Sequence, residues 1–434
     1  MTSEALRAAE GLRCAWTAML PARRPTAPLA GSAECAVAVV GAGLVGLAAA
    51  RHLAELAPGD PVVVLDAGAV GDGAAGRNSG FAIDVPLSHA MQAKDSLGSV
   101  GGTQLTLARW SYARLEALVR ELSIDCGWQR TGRHYAAATN GGRRALDGVA
   151  RQFEQLGEPT ERVGGDALHE RLGTRYYRAA LFNPSCTLVQ PAALIRGLAD
   201  SLPQSVRLHE RSRVTGWTSA GGRHLLRTAG GTLSARRVVW ATHTEVGEFT
   251  PLGRRFLELY TYAGVTPPLP DEALGRGCLA EWGVLPALRA GSTVRRLAGG
   301  RILLRSLWSY GRPLAADEVR RALQPLLAAR FPQAAAHGFE HVWGGPVSIT
   351  RHSDPYLGEF RPGAFSFTGC NGSGIVKGSA YGMLLAEMAA GRPSEALALA
   401  RREPQAAWIP PEPLRRIAVA VTLARNARHA GAEI

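Results

Sequence analysis

Three glycines, Gly41, Gly43 and Gly46, stand in the pattern G-A-G-L-V-G, and Asp66 follows twenty residues after the last of them. This spacing suits the binding of a dinucleotide. Gly41 permits a sharp turn, Gly43 leaves room for a pyrophosphate against the backbone, and Gly46 lets a helix pack closely on a strand. The helix N-terminus offers free N–H groups and a partial positive charge to phosphates. Asp66 is placed to accept hydrogen bonds from ribose hydroxyls. An ordinary βαβ turn with a solvated strand-end carboxylate has the same spelling, so context decides. Gly68 to Phe81 is a second glycine-rich stretch that can follow a ligand with its backbone, and Arg77 and Asn78 bring a guanidinium and an amide to it. A third stretch, Gly369 to Gly374 (G-C-N-G-S-G), precedes an apolar segment.

The elements around these residues supply that context. Ala36 to Val40 is an apolar run that reads as a strand, Leu47 to Leu56 as a helix, and Pro61 to Leu65 as a second strand ending on Asp66. Residues 1–33 read as an extension, a helical piece from Glu4 to Leu20 and then a Pro/Ala-rich connector. Helices are predicted near 103–123, 143–157, 194–202 and 317–331, and strands over 126–139, 206–208, 225–228, 233–242 and 256–265. Arg295 to Arg305 reads as a hairpin about Ala298-Gly299-Gly300. Phe365 to Thr368 reads as a strand leading through the third glycine turn into a helix, Ile375 to Ala390.

With 434 residues the chain is long enough for two domains with sizeable cores. The net charge of +13 admits nucleic acid, a membrane surface or anionic ligands as partners. The arginines are scattered in pairs with no basic–aromatic interleaving, which argues against nucleic acid. The six cysteines show no metal-ligand or CxxC spacing and read as buried thiols in a reducing, cytoplasmic setting. No signal-like or spanning apolar run is present.

Together the N-terminal fingerprint with Asp66, the loop G-A-A-G-R-N-S-G-F (Gly73 to Phe81) and the C-terminal strand–turn–helix resemble the flavin-dependent amino-acid and amine oxidase family, which includes glycine, sarcosine and gamma-glutamylputrescine oxidases. Supporting pieces are Arg236 to Thr242 (R-R-V-V-W-A-T) and Trp343-Gly344-Gly345 followed by Ile349-Thr350 and Pro355 to Gly358. The likeness covers roughly residues 34–392. Ala75, His243, His352 and Ser373 depart from it, standing where serine, glycine or asparagine, aspartate and histidine are usual.

The resemblance implies an α/β fold, a Rossmann-like FAD-binding domain interleaved with an α+β substrate domain on an antiparallel sheet. The FAD-binding domain is expected over 34–105, 175–248 and 343–400, the substrate domain over 106–174 and 249–342, and a basic C-terminal tail over 401–434. It implies FAD contacts from Gly41, Gly43, Leu44, Val45, Gly46, Asp66 and Ala67. From the loop it implies Gly76, Arg77, Asn78, Ser79 and Gly80, and from the next strand end Ala241 and Thr242. From the last turn it implies Gly369, Asn371, Gly372, Ser373, Gly374 and Ile375. The implied reaction is oxidation of a small amine or amino acid, by hydride transfer to flavin N5, with hydrolysis of the imine and reoxidation by oxygen or another acceptor. Lys377 is a candidate for an anionic substrate group. Tyr260, Tyr262 and Arg305 are candidate pocket residues, against the plainer reading of sheet and core packing. His243 and His352 read as neutral histidines, and Cys370 as a thiol that in principle can carry a flavin thioether. Two alternatives stay open. One is a flavin monooxygenase, disfavoured by G-C-N-G-S-G where a G-D motif is expected. The other is a membrane-associated dehydrogenase using the basic, apolar-containing segment Leu414 to His429.

Overall fold

The computed structural model describes residues 14–87, 99–274, 280–288 and 290–434. Cys278 and the part of the predicted N-terminal helix before Cys14 lie outside the described residues. The first unit is Gly31–Val40, Leu44–Leu56 and Val62–Leu65, strand, helix and strand. The run Ala36 to Val40 is continuously apolar because its strand is central, parallel to Val62–Leu65 on one side and to Gly231–Trp240 on the other. Val206–His209 extends the sheet beyond Val62–Leu65, and Ala364–Thr368 and then Tyr356–Arg361 extend it beyond Gly231–Trp240. The central strands share one direction. Val40 pairs with Leu65 and with Trp240, and Trp240 with Ser366. The strand ends that lead into Gly41, Asp66, Ala241 and Gly369 therefore line one edge of the sheet, where open α/β sheets bind ligands.

The second sheet has eight strands in the order His341–Ile349, Leu257–Val265, Arg301–Tyr310, Thr293–Leu297, Trp282–Pro286, Arg133–Ala137, Ala179–Asn183 and Glu161–Gly164. Every neighbouring pair is antiparallel except Trp282–Pro286 with Arg133–Ala137. The expectation of strands over 126–139 holds only for Arg133–Ala137. The residues before it turn, with a single bridge from Gln129 to Leu188. His341–Ile349 and Ala179–Asn183 belong to this sheet, although the predicted boundaries give Trp343 onward and 175 onward to the nucleotide unit. His341–Ile349 pairs along its whole length with Leu257–Val265, and the nucleotide sheet resumes only at Tyr356.

Buried hydrogen bonds fasten the two sheets. The Arg295 guanidinium donates to the carbonyls of Ser79 (2.8 Å), Gly80 (3.2 Å) and Val189 (2.9 Å). The Trp343 indole N–H donates to Arg77 O at 3.0 Å. The segment before the first strand is a strap across the same junction. Trp16 Nε1 donates to Asn78 O at 2.8 Å, and its own carbonyl accepts from Gln190 Nε2 at 2.6 Å. Arg23 then forks between Asp200 and Glu210, at 2.7 and 2.8 Å. The last residues also dock. After the helix Leu414–Ala430, the Glu433 carboxylate accepts from the N–H groups of Ala138 and Thr139 beside the start of Asn140–Gln155.

Glu210 is the buried anion of this framework, its side chain fully enclosed, accepting from Arg23 and from the N–H groups of Thr26 and Val70. Burial pushes its carboxyl upward, but the Val70, Arg23 and Thr26 donors outweigh it and hold the group below its ordinary 4.5. A carboxylate so depressed contributes stability above the ordinary value and loses it as pH falls through the folded one. Glu210→Ala takes one of the two carboxylates from Arg23 and strands the N–H groups of Val70 and Thr26, and is expected to cost about 2–5 kcal/mol. Urea unfolding at neutral pH measures this, and the gap between variant and wild type should narrow in acid.

Candidate active site

The three glycines of the fingerprint do different work. Gly41 has φ +103°, and a Cβ there would lie 2.6 Å from Ala241 O. A Cβ on Gly46 would lie 1.8 Å from Gly41 O, so the helix touches the turn backbone to backbone. A Cβ on Gly43 would meet only the Ala75 methyl, at 3.4 Å. Gly41 and Gly46 are thus required by the fold, while Gly43 borders open space. Leu44–Leu56 starts there without a side-chain cap, leaving its first N–H groups for an anion. Asp66 stands beside it, accepting from Ala42 N at 2.7 Å and Gly68 N at 2.9 Å. Burial raises its pKa despite these donors. The buried Thr242 hydroxyl, at the neighbouring strand end, has no hydrogen-bond partner among the described residues.

The loop Gly68 to Phe81 repeats the close turn, since a Cβ on Gly76 would lie 1.9 Å from Gly71 O. Two of its polar side chains, Arg77 and Asn78, are engaged within the protein. Arg77 donates to Asp72 O (2.7 Å) and Gly344 O (3.1 Å), and Asn78 Nδ2 donates to Ala75 O (2.6 Å). They shape the loop and tie it to the second sheet, and its backbone is what it presents to a ligand.

At the third turn, Gly369 (φ +90°) passes Thr350 so closely that a Cβ would come within 2.6 Å of its methyl. Asn371 is a latch. Its Oδ1 accepts from Thr350 N at 2.9 Å, and its Nδ2 donates to Ser353 O and Gly369 O. Gly372 and Gly374 border open space, and Gly374–Ala390 begins after Ser373 with no side-chain cap. This helix crosses Leu44–Leu56 through its own glycines. A Cβ on Gly378 would touch Leu44, and one on Gly382 would lie 2.3 Å from Val45 O and 2.9 Å from Ala48. The contacts advance together along both helices, so they run in the same direction and bring two uncapped N-termini to one end. The open positions at Gly43, Gly372 and Gly374, the Asp66 carboxylate and the unpartnered Thr242 hydroxyl fit FAD laid along this edge.

Lys377 lines a cavity with apolar walls from Phe81, Leu107, Ile375 and Tyr381 and polar groups from Cys370 and Ser373. It lies in the first turn of the helix and is partly exposed. Its ammonium lies 5.8 Å from the Tyr381 ring, and burial lowers its pKa. No acidic group within ion-pair distance of it is found among the described residues. Arg305 pairs across the sheet with Thr293 and Ala263. That register puts it on the face of Trp343 and Arg295, which reach the nucleotide loop. It stacks 4.7 Å from the Trp308 ring, without an acid partner among the described residues, and burial lowers its pKa to about 10.

Tyr260 and Tyr262 share the other face of the sheet and do not line this cavity. Tyr262 is fully buried, its hydroxyl bonded to Ser309 Oγ (2.6 Å) and Leu314 N (2.8 Å). Tyr260 is 5% exposed, beside Glu258. For Tyr262 the structure favours core packing over pocket lining, because both hydrogen-bonding directions of its hydroxyl are filled. His352 is exposed. His243 occupies the left-handed region at φ +54°, which explains why glycine or asparagine suits this position. Sequence reasoning missed its partner: His243 Nε2 lies 3.4 Å from Cys370 Sγ. The two are 127 residues apart, and no local signal joins them.

The geometry separates two glycine substitutions. Gly43→Val should fold, with Tm shifted by no more than about 4 °C, but lose nearly all bound flavin. Gly46→Val should unfold the turn itself. Flavin absorbance and thermal melting on both variants check this, and a flavin-replete Gly43→Val would remove the site.

The comparisons agree with this geometry. The family described as FAD dependent oxidoreductase (DAO) matches residues 36–388. The chain is 26% identical over 384 residues to a probable oxidoreductase OrdL of Rhizobium meliloti, covering 86% of this chain and 87% of that protein. It is 27% identical over 381 residues to the gamma-glutamylputrescine oxidoreductase of Escherichia coli, covering 83% of this chain and 84% of that protein. The crystal structure of glycine oxidase from Geobacillus kaustophilus superposes with a TM-score of 0.68 at 21% identity, covering 83% of this chain and 96% of that one, which shows the shared fold. The chain belongs to the DAO family of FAD-dependent oxidoreductases.

Proposed function

We propose that this enzyme oxidises the C–N bond of a small amine or amino acid that carries an anionic group, and that its reduced flavin is reoxidised by oxygen. The observation that carries the anionic group is Arg305, a guanidinium without an acid partner among the described residues, on the sheet face that looks toward the nucleotide loop. Arg305 is partly exposed, so its guanidinium is open to a ligand, and a substrate carboxylate is the chemistry that pairs with it. Lys377 supplies another cation, in a cavity beside the last turn that Arg305 does not line. The relatives include a gamma-glutamylputrescine oxidoreductase and a glycine oxidase, which supports an amine or amino-acid substrate. FAD, when bound, supplies the two-electron acceptor. The chain's own part is to hold the substrate by its anion, to exclude water with Leu107, Ile375 and Tyr381, and to aim the N-terminus of Gly374–Ala390 at the developing negative charge.

A second reading of the electron acceptor has one observation behind it. On the helix Leu414–Ala430, Leu414, Ile417 and Val421 are 63%, 59% and 62% exposed, beside Arg415, Arg416 and Arg425. Such a face suits a membrane-borne acceptor. Among the described residues no helix is long and apolar enough to cross a membrane.

Anaerobic bleaching of the flavin by a panel of amines and amino acids identifies the substrate class, and no bleaching by any of them would overturn the proposal. Admission of air then separates the acceptors: rapid reoxidation with peroxide supports oxygen. Arg305→Met should raise KM for an anionic substrate by about 10- to 150-fold, the equivalent of losing a charged hydrogen bond of about 1.5–3 kcal/mol. Lys377→Met should act in the same direction. A lysine held below 10.5 loses its charge as pH rises through the lowered value, so binding through Lys377 should weaken at a lower pH than an ordinary lysine would allow. A KM profile on the alkaline side, flattened in Lys377→Met, is the check.

A further inference from the structure

Five cysteines lie among the described residues, and four of them, Cys14, Cys35, Cys126 and Cys186, are buried. Burial pushes those thiols up to about 11 or 12. Cys370 differs in exposure, setting and company. It is partly exposed and lines the cavity of Lys377. Its sulfur faces His243 Nε2 at 3.4 Å and Ser348 Oγ at 3.4 Å. The Ser348 hydroxyl already accepts from Gly369 N (3.3 Å) and Cys370 N (3.1 Å). Its one proton is therefore free to point at the sulfur, which makes the sulfur an acceptor from two directions.

We infer that Cys370 is a modification site, a thiolate paired with the His243 imidazolium that hydrogen peroxide converts to a sulfenic acid. The sulfur attacks one peroxide oxygen and the S–O bond forms as the O–O bond breaks. The departing hydroxide takes the His243 proton and leaves as water. Sulfur is oxidised by two electrons and the peroxide is reduced by two. The added oxygen enters the cavity that Lys377 lines. A small uncharged hydroperoxide suits the partly apolar walls, and the step needs no particular source of it.

The surrounding charges agree. Burial alone would raise the Cys370 thiol, but His243, by charge and hydrogen bond, with Ser348 and the Gly372 backbone, lowers it to about 6. Lys377 is the other nearby cation, with Asp354 and Glu403 facing it in turn. His243 is lowered by burial and raised more strongly by Cys370, Glu258 and Glu245, so it ends above its ordinary value.

The test is peptide-resolved mass spectrometry of the flavin-loaded protein. With iodoacetamide at about pH 7, where an ordinary thiol of pKa about 8.5 is only a few per cent ionised, Cys370 should be alkylated at least about tenfold faster than Cys14, Cys35, Cys126 and Cys186. Its rate should level off near the value given above. After a short peroxide pulse, dimedone should label Cys370 first. His243→Asn keeps a residue that tolerates the left-handed backbone and removes the imidazole. It should slow alkylation about tenfold at that pH and move the profile toward the ordinary value. If that variant does not fold, Ser348→Ala, which removes the second donor to the sulfur together with the oxygen that accepts from Gly369 N and Cys370 N, should shift the profile in the same direction. Reaction of Cys370 no faster than the buried thiols, an unshifted profile in the variant, or a flavin covalently bound to the Cys370 peptide would each overturn the assignment.

Discussion

Backbone contact between two helices is the constraint on which the rest of the site depends. Gly374–Ala390 lies against Leu44–Leu56 so closely that Gly382 has no room for a methyl group. Helix axes usually stand 8–10 Å apart because side chains separate them, and glycine at the crossing removes that spacer. The close approach brings two uncapped N-termini to one edge of the sheet, each with free N–H groups and partial positive charge. Gly41 and Gly46 apply the same device one layer down, fixing the first helix to its strand. A site for a long anionic cofactor thus follows from where side chains are missing.

The nucleotide half was legible in the sequence because its determinants are local. Gly41, Gly43, Gly46 and Asp66 fall within one strand–helix–strand unit, and an apolar run such as Ala36 to Val40 has one reading in that setting. The structure adds which glycine faces what: only Gly43 of the three borders open space. The substrate side was less legible because its determinants are cross-strand. Whether Tyr262 lines a pocket depends on Ser309 and Leu314, which fill its hydroxyl. The face that Arg305 shares depends on register with Thr293 and Ala263. The His243–Cys370 contact depends on two strand ends meeting across 127 residues of sequence. Trp343 to Ile349 was given to the nucleotide unit for a similar reason, since a strand's sheet membership lies in its partners rather than in its own letters.

Charge follows a related logic. Two arginines of the framework are held by several acceptors each. Arg295 meets three carbonyls and Glu281, and Arg23 meets two carboxylates. Arg305 and Lys377 are partly exposed, each beside an aromatic ring and without an ion pair among the described residues. Arg295 differs from them in depth as well as in company, being 1% exposed.

The strap of Trp16 and Arg23 has a consequence in time. Its partners, Asn78, Gln190, Asp200 and Glu210, are made long after it leaves the ribosome. Between Arg23 and Glu210 lie 187 positions of chain (210 minus 23), which at about 5–20 residues per second is on the order of 10–40 s. During that interval the strap is an unpaired basic segment with a bare indole, exposed to chaperones and neighbouring chains. The strap is the first part of the clasp to be made, and it waits unpaired until Glu210 follows it.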